Sequence, residues 1–344
     1  MSDRMSWGCT KRMRWDHCGR LACSAWVCSD KRGLFNKERD AMPGTQDYAA
    51  DPRNAAVRVY LNGNLIPRDE ARISIFDAGF VLGDGIWEGV RLHRGRLLFL
   101  EAHLDRLFDG ARAIGLDIGM DRAALTAALR QTVEANAMQD GVHIRLMVTR
   151  GLKKTPNQDP RNALGKPTIV IVAEYKEPSD EIVKQGISLF TSSIRCTPSD
   201  MFDMRLNSHS RLNLVIALQQ AIAAGADEAL MLDPHGFVSS CNATNFFFVK
   251  RGTVCTSRGT YCFNGVTRAN IIALCRKNNI PLELGDFTLH EVYGAEEAFV
   301  TGTFGGAIPV RMIDGRALPS GLPGPVTTRV RKLYGALKDA DAAA

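Results

Sequence analysis

Residues 203–232 run Asp-Met-Arg-Leu-Asn-Ser-His-Ser-Arg-Leu-Asn, then an apolar helix, then a strand, and this order constrains the fold more than any other stretch. From Leu212 the apolar residues Leu212, Val215, Ile216, Ala217 and Ile222 recur at helical spacing, and Gly225 stands where a helix ends. Glu228 to Leu232 then reads as a strand. The polar run Asn207 to Ser210 therefore lies immediately before what reads as a buried helix. At 344 residues, with 45% hydrophobic and 23% charged, the chain is long enough for two packed domains.

The net charge of +6 is unevenly placed, since nine Lys or Arg against five Asp or Glu up to Met42 leave +4 there and +2 for the rest. A basic body that would track nucleic acid is absent. Nothing in the sequence reads as a membrane span. The N-terminal segment also holds Cys9, Cys18, Cys23 and Cys28 with His17 among them. Zinc is the sharp reading, but no C-x-x-C pair occurs, so a disordered basic extension over 1–55, with Met42 as an alternative start, is expected instead. No metal site is predicted. Scattered basic residues without an apolar run exclude a typical secretory signal. The five unpatterned cysteines of the body point to a reducing, cytoplasmic setting.

Val57, Val59 and Leu61 alternate up to Asn62-Gly63, a hairpin signal because both turn residues tolerate positive φ. A second hairpin turns at His93-Arg94-Gly95-Arg96. Between them, Phe76 to Glu88 carries glycines and aspartates at a density that demands tight turns, and Trp87 by itself reads as a half-buried core aromatic. A helix follows with Leu104, Leu107, Ala111 and Ile114 on one face and Arg106 off it. A second helix is capped by Asp121. In the strand from His143, His143 and Arg145 share one face and Ile144 and Leu146 the other. The polar, proline-broken stretch 174–182 reads as a linker between a small domain, 56–173, and a large one, 183–338. In the large domain, Asn264-Gly265-Val266-Thr267-Arg268 precedes a helix, so the amides of Val266 and Thr267 sit where an anion is favoured. Residues 301–306 form a second loop of small residues. The terminal helix reads as stabilising only, with 339–344 frayed.

Several of these stretches resemble the class IV, fold-type IV pyridoxal-phosphate aminotransferases, closest to the branched-chain enzymes. The resemblance runs from about Val57 to the terminal helix and implies a two-domain α+β or α/β fold with the cofactor cleft between the domains. It places Arg106, in Glu-Ala-His-Leu-Asp-Arg-Leu, at the arginine that clamps the cofactor phosphate, with Val266, Thr267 and Thr303 completing a phosphate cup. It places Trp87 and Arg145 on the substrate side, Arg145 as a partner for a substrate carboxylate; a domain-interface ion pair is the bland reading. The Arg-x-His pair of the D-amino-acid enzymes is replaced by Thr155 and Asn157.

Two positions depart from the family. In Asp-Pro-Arg-x-Lys-Ser-x-x-x-x-Asn the lysine is replaced by Asn207, whose amide offers neither a nucleophilic amine nor a base. In Val-x-Glu-x-x-x-x-Asn the glutamate that keeps the pyridine nitrogen protonated is replaced by Ser240. Nearby, Arg211 stays protonated and only His209 titrates near neutrality; it is a speculative base, with a structural histidine as the simpler reading. The resemblance implies pyridoxal 5'-phosphate, non-covalent if bound, transamination between a branched-chain or similar L-amino acid and a 2-oxo acid, and a homodimer. The two losses leave open a lysine-free enzyme of another type, such as a lyase, and a non-catalytic binder of a phosphorylated ligand.

Overall fold

The structure is a computed structural model and describes residues 45, 46 and 48–344. Residues 58–175 build an antiparallel sheet from β1 (Arg58–Leu61), β2 (Asn64–Pro67), β3 (Gly85–His93), β4 (Arg96–Leu97), β5 (Val142–Thr149) and β6 (Thr168–Tyr175). Its order is β2-β1-β6-β5-β3-β4. The first turn forms as its residues dictate, with φ of 49° at Asn62 and 92° at Gly63. The short helix α1 (Ala78–Leu82) lies in the glycine-rich loop, and α2 (Leu100–Ala113) and α3 (Arg122–Ala135) cover the sheet. The sheet's alternation buries Ile144 and Leu146 against Leu104 and Leu107 of α2 and Leu125 and Leu129 of α3, which leaves Arg145 on the opposite face. Asp121 caps α3 by accepting from the Ala124 amide.

The second sheet is mixed. It contains β7 (Ile187–Thr191), β8 (Glu228–Leu232), β9 (Val238–Cys241), β10 (Asn245–Lys250), β11 (Thr253–Ser257), β12 (Leu282–Gly285), β13 (Glu297–Gly302), β14 (Gly306–Ile313) and β15 (Arg316–Ala317). The order is β12-β11-β10-β13-β14-β7-β8-β9, with β15 on β14. Its helices are α4 (Asp180–Gln185), α5 (Ser199–Phe202), α6 (Leu212–Ala223), α7 (Val266–Lys277), α8 (Leu289–Tyr293) and α9 (Pro325–Ala343). Phe247 and Phe299 stack at 4.9 Å at its centre, beneath α7 and α9.

Four expectations change. Helix α6 is not wholly buried: Ala217 and Ala221 face inward, while Leu212, Val215, Ile216 and Ile222 are exposed, because the residues packed on β8 are the small ones. The tail does not fray; α9 continues to Ala343, with Asp341 accepting from the Phe99 amide and Asp339 bonded to His93. Residues 48–56 are not a loose extension either, since Tyr48 bridges to Pro178 and Pro52–Ala56 forms a 3-10 turn. Strand β6 carries on to Tyr175, two residues into the stretch expected to be linker. The N-terminal cysteines, His17 and Met42 lie outside the described residues. Among the described residues, no cluster of three or more His, Cys, Asp or Glu could hold a metal, and no helix is long and apolar enough to cross a membrane.

Candidate functional site

A cavity of ≈ 320 Å³ opens between the two sheets, and eight of the nine residues chosen from sequence line it: Trp87, Arg106, Arg145, Asn207, Ser240, Val266, Thr267 and Thr303. They come together because residues 207–209 are stitched to β3: Trp87 N donates to Asn207 O at 3.0 Å and His209 N to Gly85 O at 3.0 Å. His209 is absent from the lining. Its Nε2 is bonded to the Ile86 carbonyl at 3.1 Å, and burial holds its pKa below the ordinary value.

At one end, Arg106 gives Nε and Nη2 to the two oxygens of Glu88 at 2.7 and 2.6 Å, and Nη1 to the Asn264 carbonyl at 2.9 Å. Its guanidinium lies 4.1 Å from the centroid of the Phe263 ring. Burial pushes the Glu88 carboxyl up, but the hydrogen bonds from Arg106 and from His103, at 2.7 Å, outweigh it and hold Glu88 ionised. Arg106 is thus fixed in a fork before any ligand arrives. The Asn264 carbonyl belongs to the turn that starts α7, whose cap, Gly265, offers no side-chain bond, so the first amides of that helix are left for another acceptor. Gly265 is required: a Cβ there would sit 2.5 Å from Asn245 Oδ1. The hydroxyl of Thr301, also in the lining, is buried without a partner.

At the Asn207 end, the amide Nδ2 donates to the Trp87 carbonyl and lies 3.5 Å from Glu88 Oε1, while Oδ1 accepts from Arg211 Nη2 at 2.7 Å. Arg211 also lines the cavity, and burial followed by the charge of Arg106 lowers its pKa to about 10. No Lys, Asp or Glu lines the cavity among the described residues. Ser240 donates its hydroxyl to Thr244 O at 2.8 Å and accepts from Asn245 Nδ2 at 3.2 Å, so its proton is committed. Arg145 stacks on Trp87 at 3.9 Å, with Met204, Leu214, Leu218 and Phe304 as apolar neighbours in the lining.

Two residues of interest were missed in the sequence. His143 lines the cavity beside Arg145, and burial, then the charges of Arg91, Arg145 and Lys176, lower its pKa to about 3, so its imidazole is neutral. The strand alternation that put it on Arg145's face was the available signal. Lys176 places Nζ 4.8 Å from the centroid of Phe304, a ring of the cavity wall, and 4.4 Å from that of Tyr48. It lies in the stretch expected to be linker, where no local pattern marks it.

Residues 85–313 match the amino-transferase class IV family. The chain belongs to the class IV aminotransferase family. It is 38% identical over 288 residues to the branched-chain-amino-acid aminotransferase-like protein 2 of Arabidopsis thaliana, covering 84% of this chain and 51% of that protein. The chain thus spans about half the length of this plant relative. It is 35% identical over 284 residues to the branched-chain-amino-acid aminotransferase of Pseudomonas aeruginosa, covering 80% and 91%. Among solved structures, a T.th. branched-chain amino acid aminotransferase complexed with N-(5'-phosphopyridoxyl)-L-glutamate superposes with a TM-score of 0.77 at 27% identity, covering 83% of this chain and 95% of that one. The two-domain, mixed helix-and-sheet architecture expected of a fold-type IV aminotransferase is therefore present. Within this family member, the uncapped start of α7, Arg106 and the unpartnered Thr301 hydroxyl fit the phosphate of a pyridoxal group. The Ser240 and Asn207 positions hold neutral side chains whose hydrogen bonds close on the protein itself.

Proposed function

We propose that this aminotransferase-like protein holds pyridoxal 5'-phosphate non-covalently in the cavity and takes a branched-chain or similar L-amino acid, or its 2-oxo acid, against it. The observation that carries the reading is the convergence of Arg106, the free first turn of α7 and Thr303 on one cavity that also holds the apolar side chains of Met204, Leu214, Leu218 and Phe304. The phosphopyridoxyl group in the complexed T.th. relative supports the same occupant. When bound, the group would supply an electron-accepting ring. Arg106, Val266, Thr267 and Thr303 would hold its phosphate, Arg145 would meet a substrate carboxylate, and Leu214 and Phe304 would shed water around an aliphatic side chain. Asn207 stands at the family's lysine position and Ser240 at its glutamate position. Neither moves a proton there, which favours a lysine-free enzyme or a binding protein over ordinary transamination as the second reading.

The chain is further proposed to act as a homodimer in the cytoplasm. Leu212 is 71% exposed and Phe80 68%, and the segments flanking α1 and α6 are joined where Ser210 Oγ donates to Gly83 O at 3.2 Å, so the exposed apolar side chains of both helices flank one junction. Sedimentation of Leu212→Glu against the wild type tests this; a shift from dimer to monomer is expected. The five cysteines from Cys196 to Cys275 are unpaired and buried, as in a reducing compartment.

The deciding experiment is the absorbance spectrum with added pyridoxal phosphate, followed by borohydride reduction and mass mapping. Reversible binding without a fixed adduct is expected. A single stoichiometric adduct, with Lys176 the first residue to inspect, would restore an ordinary lysine-dependent enzyme. Asn207→Lys with Ser240→Glu then asks whether the rest of the cavity is competent for transamination.

A further inference from the structure

Arg211 is a cation whose hydrogen-bond partners among the described residues are all neutral. Its Nε donates to Ser208 O at 3.0 Å, and Nη2 donates to Leu206 O at 3.0 Å and to Asn207 Oδ1 at 2.7 Å. The carboxylate whose field reaches it, Glu88, is already held by Arg106 and His103. The two arginines flank one ring, with the Arg106 guanidinium 4.1 Å and that of Arg211 5.5 Å from the Phe263 centroid. Among the described residues, three guanidiniums (Arg106, Arg145 and Arg211) and no acidic side chain line the cavity, so with Glu88 as the counter-ion of Arg106 the wall keeps excess positive charge.

Asn207 fixes the direction of that excess. Its donor nitrogen is turned to the Trp87 carbonyl and Glu88, and its acceptor oxygen to Arg211. A guanidinium has donors only. Arg211, in the lining, therefore brings donor groups and positive charge to this end, and an ammonium group would meet repulsion from it.

We propose that Arg211, oriented by Asn207, is a specificity-determining residue that selects a ligand bearing an anionic or carbonyl oxygen, rather than an ammonium group, at the Asn207 end of the cavity. The inference rests on the pyridoxal phosphate reading for the ligand's phosphate end, and it adds which substituent the other end accepts. Of two probes with the same ring and phosphate, the one with a carboxylate at ring position 4, 4-pyridoxic acid 5'-phosphate, binds in preference to pyridoxamine 5'-phosphate, whose aminomethyl group is protonated near neutral pH.

The test is titration calorimetry of the full chain with both probes, on the wild type, Arg211→Gln, Arg211→Lys and Asn207→Ala. The wild type should bind the carboxylate probe at least about tenfold more tightly, the scale of one charge-assisted hydrogen bond. Arg211→Gln should bring the ratio close to one, Arg211→Lys should recover part of it, and Asn207→Ala, which frees the guanidinium, should lower it with the charge kept. Because the readout is a ratio on one protein, a general loss of fold does not mimic it. Should Arg211→Gln fail to fold, the wild-type ratio and the Asn207→Ala ratio still decide. Equal binding of the two probes, or a ratio that survives Arg211→Gln, overturns the role of Arg211 alone. Failure of both probes to bind overturns the pyridoxal phosphate reading and this inference with it.

Discussion

Glu88 in the first sheet and Glu228 in the second are both buried behind the cavity wall, at 0% and 2% exposure, yet they differ in charge. Glu88 is met by the guanidinium of Arg106 and by His103, and stays ionised. Glu228 is met by hydroxyls, from Thr244 Oγ1 at 2.6 Å and from Thr45, and burial pushes its pKa up to about 7. Hydroxyl donors lower a buried carboxyl's pKa but do not offset its desolvation as a cation does. The two therefore do different work. Glu88 fixes a charged fork where a phosphate would bind, whereas Glu228 pins Thr244 of the cavity lining and the chain at Thr45 by hydrogen bonds to neutral groups.

Glu88→Gln should have the largest effect. It strands Arg106 and removes the acceptor of His103, a loss of about 3–5 kcal/mol by urea denaturation at neutral pH. Since the folded pKa of Glu88 lies below 4.5, its contribution is present above pH 4.5 and is lost as the pH falls toward the folded value. The variant should lack that acid limb. Glu228 has the opposite sign. With a folded pKa raised from 4.5 to about 7, the native state holds the extra proton, and wild-type stability should fall by on the order of 3 kcal/mol as pH rises from 4.5 through 7. Glu228→Gln should flatten that slope, gaining on the wild type at pH 8 relative to pH 5. Parallel pH profiles for the two variants would abolish the contrast.

Much of this was legible before the structure. The hairpin at Asn62-Gly63, the Asp121 cap and the start of α7 at Val266 follow from local chemistry, and each formed as expected. The cavity residues were legible because turns and helix starts that carry a resemblance are read one by one. Pairings between distant segments were not. Nothing near Glu88 announces His103 and Arg106 as its partners, and nothing near Arg211 announces Asn207 as its brace against an empty ion-pair position. The exposed aliphatics of α6 misled for the same reason, since helical spacing marks an apolar stripe without saying which part of it the protein itself covers.

A smaller effect belongs to Arg106, partner of the charged glutamate. Arg106→Gln should weaken binding of inorganic phosphate by at least about tenfold, one charge-assisted hydrogen bond. Thr244→Val, which touches only the neutral device, should leave phosphate affinity within about twofold, because it removes no charge from the wall. Equal losses in the two variants would mean that the cavity binds phosphate through its shape, not through the fork held by Glu88.

The smallest expected effect concerns Arg145, which feels Glu174 only through its field, makes no ion pair among the described residues and is held by the Trp87 ring at 3.9 Å. A partly solvated cation–π pair contributes about 0.5–1 kcal/mol. A double-mutant cycle of Trp87→Leu and Arg145→Met, read by urea denaturation, should return a coupling of that size. In binding, the same arginine should matter more: if Arg145 meets a substrate carboxylate, Arg145→Met should lower affinity for a branched 2-oxo acid while leaving phosphate affinity unchanged. A coupling of several kcal/mol would instead mark Arg145 as a structural anchor like Arg106, since only a guanidinium locked before binding resists removal so strongly. A weak coupling with a large ligand effect is the signature of a group held loosely until a carboxylate arrives.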